Sequence, residues 1–263
     1  MSLVFAAITP HPPLLIPTIG KGNVKKISKT AKAMDELEQQ LYASHPEVIL
    51  IISPHGSYFP DVFTLNFCTD YVTDLRDFGD LSTKLSFRGD LEMAHRLRDA
   101  TKRKNFPVTM ISEPNLDHGS SVPLYFLTRH LPQIKIIQLG FCDLDYKAHL
   151  DFGALLKEQI SMTNHRIAVV ASGDMSHALS TDAPAGFNRR GPEFDQKVRE
   201  MLMAQNYSGL LQIDRELVKD AAECGFRSLL ILLGMLQGTR YDYRELSYEA
   251  PFGVGYLTAQ FVF

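Results

Sequence analysis

The run Val48-Ile49-Leu50-Ile51-Ile52-Ser53-Pro54-His55-Gly56 is apolar through Ile52 and then stops at a Ser-Pro pair followed by a histidine. Unbroken apolar character over so short a stretch marks a strand buried on both faces, as in a parallel sheet covered by helices on either side. Working outward, residues 3–8, 108–111, 134–139 and 167–171 repeat the pattern. Between them, residues 24–43, 91–101, 124–130 and 148–160 place apolar side chains at helical spacing, and residues 198–203 and 217–236 continue it. Short buried strands alternating with longer amphipathic stretches predict an α/β fold with a mostly parallel central sheet flanked by helices on both faces. Residues 64–67 and 84–87 read as further strands, and residues 256–263 alternate as a closing edge strand does. No repeat, low-complexity segment or Gly/Ser-rich linker divides the chain, so a single domain over residues 1–263 is expected. The polar stretch 180–192, with Pro184, Gly186, Gly191 and Pro192, reads as one long loop of the kind that often contacts a ligand.

The composition narrows the function. A net charge of -3, with lysines and arginines scattered, provides no basic field for a nucleic-acid backbone, so none is expected as a partner. No window of about 18 apolar residues suggests a membrane span. The three cysteines, Cys68, Cys142 and Cys224, are odd in number and widely spaced, which suits a reducing compartment. The apolar start lacks a basic leader region and runs into Pro10, Pro12 and Pro13, so a cytoplasmic protein is expected.

Four of the nine histidines stand out by position. His11 follows the strand at 3–8, His55 the one at 48–52, His118 lies past 108–111, and His177 follows 167–171. The carboxyl ends of parallel strands share one edge of a sheet, where open α/β folds bind their ligands. His45, His95, His130, His149 and His165 fall within or beside helical stretches, where exposed polar positions are normal, and carry no expected role. A cluster of neutral imidazoles is first of all a transition-metal site, and two histidines with one carboxylate leave positions open on Fe(II) for substrate and dioxygen. Glu223, at the start of a strongly apolar helical run, is the candidate carboxylate; helix capping is an equally natural use for it. Cys224 is the rival ligand, because a thiolate favours zinc or copper(I) over a hard-donor iron site. Adjacent residues at a helix start point about 100° apart, so only one of the two is expected to reach the metal.

These motifs, in order, are Pro10-His11-Pro12-Pro13, Ser53-Pro54-His55-Gly56, Asp117-His118-Gly119, Gly173-Asp174-Met175-Ser176-His177, Glu223-Cys224-Gly225 and Pro251-Phe252-Gly253-Val254-Gly255-Tyr256. Together they resemble the catalytic subunits of class III extradiol dioxygenases, the LigB-like superfamily, and especially its Memo-like, AMMECR1-associated branch. The resemblance implies an Fe(II) centre held by His11, His55 and Glu223, with His118 and His177 as acid and base, cleaving a catechol or aminophenol-like ring with dioxygen. Zinc or copper is the alternative metal. It also implies a homo-oligomer or an AMMECR1-like partner. In Memo-like members a cysteine takes the position of the glutamate, so a metal-facing Cys224 would favour metal binding without ring cleavage. A zinc-dependent hydrolase is a third reading of the same histidines.

Overall fold

The computed structural model describes residues 2–263. Eleven strands join one sheet: β1 (Leu3–Thr9), β2 (Val48–Ser53), β3 (Phe63–Asn66), β4 (Asp70–Thr73), β5 (Ser86–Gly89), β6 (Val108–Ile111), β7 (Asn115–Leu116), β8 (Lys135–Gly140), β9 (Ile167–Ser172), β10 (Asp242–Glu249) and β11 (Tyr256–Val262). The helices are α1 (Pro17–Gly20), α2 (Ser28–Ala43), α3 (Leu91–Arg103), α4 (His118–Leu127), α5 (Tyr146–Ser161), α6 (Arg190–Met203), α7 (Tyr207–Leu211), α8 (Arg215–Ala221) and α9 (Phe226–Leu236). Among the described residues no helix is long and apolar enough to cross a membrane.

The centre of the sheet is the parallel block β1-β9-β2-β8, with antiparallel β11 and β10 beyond β1. On the other side β5 continues parallel to β8, whereas β3 pairs with β8 antiparallel and β4 with β5 antiparallel. The α/β class with helices on both faces therefore stands, and the sheet is mixed at its margins. Alternation along β2 shows why its sequence is apolar throughout: Val48, Leu50 and Ile52 enter one core with α3, α5 and α9, while Ile49 and Ile51 enter the other with α2 and α4.

Four details differ from the reading of the sequence. His118 follows the two-residue strand β7, because β6 lies off the main path against β3. The helical pattern at 217–236 is two helices: Ala222 adopts φ +50°, ends α8, and lets the chain turn before α9. The strand β10 was not foreseen, since Asp242, Arg244, Glu245 and Glu249 give it the polarity of a loop. His149 is fully buried, with its Nδ1 2.8 Å from the carbonyl of Asp145, and is not an exposed helix position.

Candidate metal centre

Register places the site. Thr9 lies opposite Ser172 and Ser53 opposite Gly140, while Ile52 faces Ala171, so the parallel strands end in one row. Two residues beyond that row come His11 after β1, His55 after β2 and Asp174 after β9. His118 reaches the same place from another direction, as the first residue of α4. That helix begins where the Asp117 side chain accepts a hydrogen bond from the Ser120 amide at 3.1 Å.

The four expected histidines do converge. Ring nitrogens of His11, His55 and His118 that could hold a metal ion all lie within 4.8 Å of one another, and the Nε2 atoms of His11 and His55 are 3.0 Å apart. The His55 and His118 rings stack at 4.2 Å, and His11 stands edge-on to both. His177 joins through Asp174, whose Oδ2 is 3.9 Å from His177 Nε2 and 4.0 Å from His11 Nε2.

Neighbouring groups fix two of the tautomers. The Ser172 hydroxyl donates its only proton to the Gly119 carbonyl, so its oxygen accepts from His11 Nδ1–H at 2.9 Å. His11 Nε2 is thus a bare lone pair aimed at the crevice. The Ala222 carbonyl, which can only accept, lies 2.7 Å from His177 Nδ1 and leaves His177 Nε2 bare in the same way. Below His55 the Ser53 hydroxyl donates to Asp117 Oδ1 at 2.5 Å, and Gln138 Nε2 donates to Asp117 Oδ2 at 2.5 Å.

Glu223 and Cys224 part company. The Glu223 carboxylate accepts from the Phe226 amide at 2.5 Å, capping α9, and lines a separate cavity with Asp143, Tyr146, Arg215 and Arg227. Cys224 faces the histidines, its Sγ 3.6 Å from His11 Nε2 and 3.3 Å from the Asp174 amide that donates to it. The expected geometry of Glu223 as third ligand is therefore not what the structure holds: its carboxyl, whose pKa burial raises to about 7, accepts from the first amide of α9, and the thiol of the next residue faces the crevice. The reason lies in the turn. Gly225 packs directly on Gly173, where an added Cβ on Gly173 would come 2.0 Å from Gly225 Cα, and this contact turns residue 224 toward Asp174.

Electrostatics fit a cation. Burial, with the neighbouring histidines, lowers the pKa of His11, and burial followed by His118 lowers that of His55 to about 4. Burial also lowers those of His118 and His177. Burial raises the Asp174 carboxyl to about 7, and burial together with Asp174 raises the Cys224 thiol well above its ordinary value. Lone pairs, a carboxyl and a sulfur face one another around the buried His11 and Asp174, with the exposed His55 opening the crevice to solvent, and nitrogen, oxygen and sulfur donors together suit a transition metal. From the sequence, Asp174 reads as a turn former that could orient a histidine ring and stands outside the catalytic set, and nothing marks Ser172, Ser53 or Gln138 as part of a site. The only sequence signal for the two serines was their place as the last residue of an apolar strand, and for Gln138 its polarity inside one.

A family model described as the catalytic LigB subunit of aromatic ring-opening dioxygenase matches residues 5–259. Protein CA_C1420 of Clostridium acetobutylicum is 32% identical over 265 residues, which is 97% of this chain and 57% of that protein. This chain thus spans little more than half of that relative. A 3,4-dihydroxyphenylacetate 2,3-dioxygenase of Escherichia coli is 23% identical over 198 residues, covering 71% of this chain and 68% of the other. The crystal structure of the uncharacterized protein JW3007 from Escherichia coli K12 shares the fold with a TM-score of 0.64 at 18% identity, over 98% of this chain and 99% of that one. With the motifs in their order and the histidines brought to one crevice, the chain belongs to the LigB family of aromatic ring-opening dioxygenase catalytic subunits.

Proposed function

We propose that this chain is a metal-dependent oxygenase that opens the ring of a catechol or aminophenol-like compound with dioxygen, Fe(II) being its metal. The observation that carries the reading is the bare Nε2 of His11, around which His55 Nε2, Asp174 Oδ2 and Cys224 Sγ gather at 3.0, 4.0 and 3.6 Å. His11 and His55 would hold the metal, and Cys224 would take the third position in place of Glu223, with the Asp174 carboxyl 4.0 Å from the same His11 nitrogen as the hard donor that suits Fe(II) beside a thiol. When bound, such a metal supplies Lewis-acid polarisation of the substrate's ring oxygens and a common template for the two reactants. His177 accepts a phenolic proton at Nε2, since its Nδ1–H is already committed to Ala222, and Asp174 stabilises the imidazolium that results. His118, packed between the His55 and Phe78 rings and with no side-chain hydrogen bond to its ring nitrogens among the described residues, would take the second phenolic proton and return it as the ring opens. The test is to load the protein anaerobically with Fe(II), add a catechol and admit air. Oxygen uptake matched by a yellow ring-opened product supports the reading, and neither appearing with any catechol or aminophenol overturns it.

One observation favours a second reading. A thiol facing the histidines is a soft donor, which suits zinc or copper(I), and a Memo-like protein binding such an ion without cleaving rings would have this crevice. Tight copper(I) or zinc binding with no oxygen uptake is the outcome that would select it.

A further inference from the structure

Phe78 ends the short 3-10 turn Arg76–Phe78 in the connection between β4 and β5. Its ring is 40% exposed, belongs to neither apolar core, and meets the His118 ring edge-on, with centroids 5.0 Å apart. His118 in turn stacks on His55, so Phe78 forms the outer end of a row of flat rings that leads to the His11 and His55 nitrogens.

The connection that carries Phe78 is firmly held. Asp80 is buried and accepts from Thr18 Oγ1 at 2.5 Å, from both the amide and hydroxyl of Ser82 at 2.8 Å, and from the Thr83 amide at 3.0 Å. Thr18 lies on α1, in the segment that follows His11, so this anchor ties the Phe78 turn to the strand end that supplies the first histidine. A large apolar ring kept half in water beside a polar crevice, on a loop that buried hydrogen bonds prevent from shifting, is placed to meet another ring.

We infer that Phe78 is a specificity-determining contact, packing against the face or edge of a planar aromatic ligand whose oxygens reach the His11 and His55 side of the crevice. The inference rests on the ring-opening reading of the site. It also names the substrate class more closely: the ring must be flat and its edge toward Phe78 apolar, because a charged substituent there would be desolvated against the phenyl ring without a partner.

The experiment is anaerobic calorimetric titration of the Fe(II)-loaded protein with 4-methylcatechol, for wild type, Phe78→Ala and Phe78→Tyr, with metal content measured in each. Loss of an aromatic contact and its buried area should weaken binding of Phe78→Ala by about tenfold, while Phe78→Tyr stays near wild type and all three keep their metal. Binding by Phe78→Ala within twofold of wild type overturns the inference and leaves the ring-opening reading standing. Loss of metal from Phe78→Ala would make the residue structural and overturns it too. If wild type itself does not bind the catechol, the ring-opening reading fails and this contact falls with it.

Discussion

His11 is where the chain's chemistry concentrates, because its neighbours leave it a single course of action. Ser172 takes its Nδ1 proton, burial keeps the ring neutral, and the remaining nitrogen points at three other donors. His11→Ala should abolish stoichiometric metal binding. Ser172→Ala, which frees the ring to turn and change tautomer, should weaken the metal by about 10- to 100-fold in an anaerobic competition titration, the usual effect of removing a partner behind a ligating histidine. The pH dependence follows from the proton each donor must lose. With its pKa near 4, His55 is already unprotonated at pH 5.5, so it adds no pH dependence above about 5. The Cys224 thiol, raised by burial and Asp174, is protonated at neutral pH and must lose its proton to ligate. Wild-type affinity should therefore rise between pH 6 and 8 about tenfold per unit more steeply than that of Cys224→Ser. Parallel slopes for the two proteins would remove the thiolate from the metal.

The turn between α8 and α9 shows which elements the sequence disclosed and which it hid. Strands β1, β2, β8 and β9 were legible because burial on both faces demands unbroken apolar runs, and with them came the positions of His11, His55 and His177. The break at residues 222–225 was not, because apolar side chains at 217, 218 and 221 and again from 226 keep a helical rhythm across it. For the same reason the choice between Glu223 and Cys224 was open: their directions depend on the Gly173–Gly225 contact, which joins residues 52 apart in the chain. His118 was assigned to the wrong strand because β7 is only two residues long, too short for any periodicity. Glu223→Ala should keep the metal and lose about 0.5–2 kcal/mol of stability, as the loss of a helix-capping side chain does. Gly225→Ala should cost about 1–3 kcal/mol, because the new methyl would lie 2.9 Å from the Gly173 carbonyl carbon and 3.0 Å from the Asp174 oxygen. It should also weaken the metal, since Cys224 moves with the turn. Chemical denaturation of the metal-free proteins measures the first effects, and metal titration separates the two variants.

At the scale of the molecule, four parallel strands in register bring residues from positions 11, 55, 174 and 177 to one edge, and the turns ahead of α4 and α9 close the crevice with His118 and Cys224. The proposed function stands or falls with a metal centre at this edge, built on His11 and His55 with a sulfur donor from Cys224. X-ray absorption at the metal edge of anaerobically purified protein, alongside metal content, for wild type, Cys224→Ser and His11→Ala reads out that donor set. About one metal per chain is expected, with imidazole nitrogen and one sulfur in its shell, the sulfur vanishing in Cys224→Ser and the metal itself in His11→Ala. A metal retained at full stoichiometry in His11→Ala, or a wild-type shell without sulfur that is unchanged in Cys224→Ser, would contradict it.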